Sequence, residues 1–324
     1  MQLKGANETI KEKAMERVTK DKVCHTMSAE NEPVLHISEG ESFCLEVEDC
    51  YSGHLRSSHD TFTREMWSTV NPATGPVYVD GSKAGDILRV DVKHIRTRDY
   101  AVMCVEEGSG ALGEYIEGIE TSIYPIKDEA LVLGEELSIP IRPMIGVIGT
   151  APEGEAIPNG TPGEHGGNMD CKEITAGSRV YLPVNVEGAL LSVGDLHAVM
   201  GDGEVCICGA EVSGEVTMQT QVIRSFLPTP CVETEDHIHF IGSALSLDEC
   251  EKIVLEKTHS YLTRALDLKP NEAARIMSLV GNLHVCQVVD PLKTMRFALP
   301  KWFLRSQGIK GNVTESSLAS RGSP

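Results

Sequence analysis

Gly85-Asp86-Ile87-Leu88-Arg89-Val90-Asp91-Val92-Lys93-His94-Ile95, GDILRVDVKHI, alternates apolar and polar side chains with a period of two. Leu88, Val90 and Val92 fall on one side and Arg89, Asp91 and Lys93 on the other, the pattern of a half-buried strand. GSRVYLPVNV (177–186) repeats it, with Val180, Leu182 and Val184 inward, and GEVTMQTQVI (214–223) is a third such strand. Short strands punctuated by Gly, Pro, Asn and Asp run from about 34 to 240. They predict a mainly β fold, sandwich- or barrel-like, over a βαβ sheet. VYVDGSKAGDILRV (77–90) is echoed by VYLPVNVEGALLSVGDLHAV (180–199), either an internal duplication or two similar hairpins.

Helix is expected near the C-terminus. SLDECEKIVLEKTHSYLTRAL (246–266) opens with Ser246 as N-cap and Glu249 three residues on, a capping box, and carries an apolar stripe through Cys250, Val254, Tyr261 and Leu262. A second helix is predicted from about Pro270 to Val280, stopped by Gly281. HVCQVVD (284–290) reads as a strand. The predicted organisation is an N-terminal arm (1–33), a β-rich catalytic region (34–240), a smaller α+β C-terminal portion (241–310) and a flexible polar tail (311–324).

The 324 residues carry 29 Lys and Arg against 48 Asp and Glu, a formal charge of -19. Such a surface repels phosphate backbones and anionic lipids, so no nucleic acid or membrane partner is expected. The charged opening stretch MQLKGANETIKEKAMERVTK lacks the apolar core of a signal peptide, and no run is long enough to span a bilayer, so a cytoplasmic location is expected. The ten cysteines are scattered without a CxxC pair and read as free thiols.

Two segments concentrate chemistry. In NGTPGEHGGNMDCKEI (159–174), Gly166 and Gly167 let backbone approach a ligand closely, and His165, Asn168 and Asp170 supply polar groups. In GDLHAVMGDGE (194–204), Asp195 and His197 are two apart and, in a strand, leave one face to converge on a divalent ion. Asp202-Gly203 reads as a hairpin turn. Glu204 is expected to open the next strand beside Cys206, Cys208 and Ala210, where desolvation would suit it to acid/base work; Glu211 falls on the opposite face. Asp49, His54, His59 and Asp60 are weaker candidate ligands. No GxGxxG, P-loop, HExxH or GxSxG occurs. Cys171, Lys172 and Glu173 are adjacent and would point apart, against a Glu-Lys-Cys amidase.

NPATGPVYVDG (71–81), GTPGEHGGNMDCKEI (160–174), VYLPVNVEGALL (180–191), GDLHAVMGDGEVCICGAEVSGEV (194–216) and VCQVVDPLKTMRFALPK (285–301) together resemble the acetamidase/formamidase family, its acetamidase-like bacterial branch most. The resemblance spans roughly residues 35–305. It implies a mostly β homodimer or larger homo-oligomer that hydrolyses short, neutral aliphatic amides with a divalent metal at its site. It also implicates Asp202 beside Glu204 and His165 as catalytic, Asn168, Gly166 and Gly167 as substrate-binding, and Asp49 with Asp170, Asp195 and His197 as metal-holding. The carboxylate and imidazole donors suit Zn²⁺ best, with Ca²⁺ as the alternative. Other readings are hydrolysis of a urea- or guanidine-like compound, or a metal- or ligand-binding β protein without turnover. Glu107-Gly108-Ser109-Gly110 departs from the family's Pro-Gly-x-Gly and leaves acyl preference open.

Overall fold

The computed structural model describes residues 15–308. GDILRVDVKHI enters the strand Ile87–Thr97 at its third residue, with Leu88, Val90 and Val92 buried as the alternation predicts. A bulge follows: Val92 sits opposite Met218 and His94 opposite Thr217, so Lys93 is the extra residue and Ile95 returns to the core.

Among the described residues this strand belongs to a nine-stranded sheet, flanked by Gly214–Ile223 and Arg179–Pro183. A six-stranded sheet faces it, with Leu191–His197 between Met144–Gly149 and Ala73–Val79. One core fills the space between. Phe43, Leu45, Leu88 and Val90 come from the first sheet and Ile145, Ile148, Leu191 and Val193 from the second, all fully buried. Each contributes about 1.5–3 kcal/mol of burial. The expected β-sandwich is the architecture.

The echoing segments lie side by side. Ala73–Val79 leads from the six-stranded sheet into Ile87–Thr97 of the other, while Arg179–Pro183 and Leu191–His197 make the reverse crossing. Each strand of one unit pairs antiparallel with a strand of the other.

Two boundaries differ from expectation. Part of the predicted arm is sheet: Glu16–Val18 runs parallel to Ser42–Val47, Val23–Cys24 pairs with Ala73–Val79, and Val18 and Met27 are buried. These strands are two or three residues long, too short for an alternation to show. Residues 1–14 and the predicted tail 311–324 lie outside the described residues. At the other end, residues 240 and 241 are neighbours within His237–Ala244, which pairs with both Cys231–Glu233 and Lys293–Pro300. The C-terminal portion therefore extends the nine-stranded sheet. Its helices Leu247–Arg264 and Pro270–Val280 form as predicted, the first with the Ser246–Glu249 capping box and the second ending at Gly281. They close a second core around Phe240, Val254, Tyr261 and Leu262. No described helix is long and apolar enough to cross a membrane.

Candidate functional site

Asp195 and His197 end the strand Leu191–His197. Asp195 has φ +54, which interrupts the pleat and brings its Oδ1 to 3.3 Å from His197 Nε2. Asp170 (φ +43) and Glu204 (φ +46) share this left-handed backbone, so three acidic residues here sit in a conformation that L-residues rarely adopt. The Asp170 and Glu204 oxygens lie 3.9 and 3.8 Å from the same imidazole nitrogen. The floor is Gly146, where a Cβ would come within 2.4 Å of Asp195 Oδ2 and 2.5 Å of Asp170 Oδ1. The loop glycines are equally constrained: a Cβ on Gly166 would meet Ile148 O at 2.3 Å and one on Gly167 would meet Thr161 O at 2.5 Å.

Two members escaped the sequence. Glu211 Oε1 lies 3.0 Å from His197 Nε2. The expected strand from 204 to 211 does not form; residues 200–209 loop out, and Glu211 returns directly across from His197. A hairpin wider than the Asp-Gly turn was the missing signal. Asp290 is the other. The strand expected over 284–290 stops at Gln287, whose Oε1 accepts from the Val289 and Asp290 N–H groups and ends it in a turn. Asp290 then accepts from Asn168 Nδ2 at 3.0 Å. The Asp290-Pro291 pair marked that turn in the sequence.

Four carboxylates thus surround one imidazole, with Asp290 beside Asp170 and Asn168. Burial, then Asp290 and Asp195, drives the Asp170 carboxyl far above its usual range; burial and Asp170 do the same to Glu204, and burial and Glu204 to Asp290. Burial lifts Glu211 to about 8. Burial would lower His197, but Glu211 and Asp195 outweigh it and hold the imidazole protonated well above its usual value; His197 and Glu211 in turn hold Asp195 below its usual value against burial. Both Asp170 oxygens, Asp195 Oδ1, Glu211 Oε2 and both His197 nitrogens are buried without a hydrogen-bond partner. Buried polar atoms left unpaired in this way call for a ligand. The atoms of Asp170, Asp195 and His197, and those of His197, Glu204 and Glu211, lie within 4.8 Å of one another. Ligands of a tetrahedral ion at about 2.0–2.1 Å stand roughly 3.3 Å apart, so these residues fit a divalent cation. Above them opens a cavity of about 820 Å³, with Asn168, Asp195, Glu204, Glu211 and Asp290 on its wall.

Other expected residues lie elsewhere. Asp202 pairs with Arg296 through 2.8 and 2.9 Å contacts and with Lys172 at 3.0 Å, and it lines a separate cavity. Asp49 accepts from the Tyr51 and Gly53 N–H groups at 3.0 Å, capping its own turn outside the donor cluster. His165 is buried among Gly163 and Gly167 and does not line the cavity; burial lowers it to about 4. Asp60 caps the turn at Arg56 and Ser57, and His54 and His59 are exposed. Cys171 lies against Cys286, Lys172 pairs with Asp202 and Glu173 with Arg142; Lys172 and Glu173 line the separate cavity beside Arg296.

A family model described as "Acetamidase/Formamidase family" matches residues 13–159 and 153–243. The chain belongs to the acetamidase/formamidase family. The crystal structure of an acetamidase from Bacillus halodurans is 41% identical, with 90% of this chain and 100% of that one covered and a TM-score of 0.89. A protein described as a predicted acetamidase/formamidase from Thermoanaerobacter tengcongensis is 42% identical, covering 92% and 99%, also at 0.89. An acetamidase of Mycolicibacterium smegmatis is 37% identical over 120 residues, 33% of this chain and 30% of that protein. The chain spans less than two thirds of the length of that curated relative and of a Schizosaccharomyces pombe one, of which it covers 61%.

Proposed function

We propose that this member of the family is a metal-dependent amidohydrolase that cleaves linear carboxamides, of the type its relatives' names record, to carboxylate and ammonia. The observation that carries the reading is that Asp170, Asp195, Glu204 and Glu211 all converge on buried His197, with both Asp170 oxygens, Asp195 Oδ1, Glu211 Oε2 and both imidazole nitrogens left without a partner. Asp170, Asp195 and His197 would hold the ion, with Glu211 beside them; one imidazole among carboxylates favours Zn²⁺ over Ca²⁺. When bound, such an ion supplies positive charge to a carbonyl oxygen and acidity to water.

The remaining steps belong to the chain. With a cation bound beside it, Glu204 would stand as the carboxylate and accept a proton from the attacking water. The same group then delivers that proton to the departing nitrogen, so one water is consumed and ammonia leaves. Asn168 Oδ1, buried and unpartnered, faces this chemistry as an acceptor for the substrate N–H, while Asp290 fixes its amide by accepting from Nδ2. The test is Glu204→Gln, read by ammonia release from acetamide and by elemental analysis. Loss of turnover by at least a hundredfold with metal retained supports the assignment; undiminished turnover refutes it.

A further inference from the structure

The cavity above the carboxylates is too large and too apolar for the amides named by the relatives. At roughly the 30 Å³ that one water takes in the liquid per heavy atom, acetamide needs about 120 Å³. The cavity holds about 820 Å³, a volume typical of drug-sized ligands.

Its far wall is built for apolar contact. Cys50, whose Sγ lies within 4.8 Å of Asp195 and Glu211 oxygens, joins the carboxylates to Tyr51. From Tyr51 a ladder of edge-on rings runs outward, to Phe62 at 5.7 Å and on to Trp67 at 5.1 Å. The Tyr51 hydroxyl already accepts from the Cys104 N–H at 3.2 Å, so its ring, rather than a polar head, faces the space. Val70, Ile207 and Val289 complete this side. Trp67 is 48% exposed, a large aromatic surface left wet by any short amide. Among the described residues no Lys or Arg lines the cavity, and Glu106 stands on its wall with the site carboxylates, so an acidic tail is disfavoured.

We infer that the preferred substrate is a neutral carboxamide bearing an aryl or branched apolar acyl group, whose tail packs along Tyr51, Phe62 and Trp67 while its amide meets Glu204. This rests on the amidohydrolase reading above. Burying a ring against that wall removes enough apolar surface to give a clear preference.

The experiment measures ammonia release by the full chain with acetamide, hexanamide, phenylacetamide and 3-phenylpropanamide. kcat/KM for the two arylamides is expected to exceed that for acetamide at least tenfold. Trp67→Ala is expected to lower the arylamide-to-acetamide ratio at least fivefold, and Phe62→Leu to lower it likewise if Trp67→Ala fails to fold. Calorimetry with Glu204→Gln is expected to show phenylacetamide binding at least tenfold tighter than acetamide. Acetamide cleaved as well as the arylamides overturns the inference and leaves the amidohydrolase intact. A preference that survives both aromatic substitutions overturns the wall assignment. Arylamide binding by Glu204→Gln, with no amide cleaved by the native chain, supports the pocket and refutes the reaction; neither binding nor cleavage overturns both.

Discussion

Gly146→Ala perturbs the site at its floor. The new Cβ would stand 2.4 Å from Asp195 Oδ2 and 2.5 Å from Asp170 Oδ1, whereas ordinary contact begins near 3.4 Å. Each oxygen must retreat by about 1 Å. The Asp195 Cγ is also close, at 3.0 Å, so rotating the carboxylate alone does not clear the clash. Displacements of about 1 Å in a catalytic constellation cost roughly a hundredfold in rate. The backbone is spared, so the fold should lose no more than about 3 kcal/mol, the usual range for overpacking. The assay is kcat/KM by ammonia release, with circular dichroism to confirm folding. A folded Gly146→Ala protein within fivefold of native kcat/KM would refute the claim that these two carboxylates must meet at this point.

Two further perturbations test the surroundings. His165 is buried and held near 4 by desolvation, against about 6.5 when unfolded. As pH falls below 6.5 the unfolded chain takes the proton first, so the stability present above 6.5 is lost by about pH 4, to the extent of roughly 3 kcal/mol. Denaturation of native and His165→Gln proteins should show a shallower decline for the variant; parallel curves contradict this. Arg296→Met strips the buried guanidinium from Asp202, which is partly exposed and keeps Lys172, so the loss should be that of charged hydrogen bonds, about 1.5–3 kcal/mol, partly recovered in Arg296→Met/Asp202→Asn. A loss under about 1 kcal/mol in urea denaturation would show the pair to be dispensable.

Strands were most legible where one face alone is buried: in Gly214–Ile223, Val216, Met218, Thr220 and Val222 alternate inward without interruption, whereas Leu191–His197 is buried at every residue and shows no such alternation. The helices were legible through their caps. The site was legible where its residues are close in sequence, as with Asp195 and His197. It failed where the backbone departs from regularity. Glu211 was placed on the wrong face because period-two counting assumes an unbroken strand, and this segment contains Glu204 and Ile207 at positive φ. Asp202 carried the same acidic signature as Glu204, yet its partner Arg296 is 94 residues away and buried, a pairing that local pattern does not reveal. Asp49 is bound by N–H groups two and four residues on, a local use of a carboxylate that competes with ligation.

The central claim is that the buried carboxylates and His197 hold a divalent ion on which turnover depends. The most direct measurement is elemental analysis and ammonia release of native, Asp195→Asn and Asp49→Asn proteins, each before and after chelation and Zn²⁺ replenishment. The account predicts about one equivalent per chain in the native and Asp49→Asn proteins and a small fraction in Asp195→Asn. It also predicts turnover that vanishes on chelation and returns with the ion. Full turnover by chelated, metal-free native protein would contradict it.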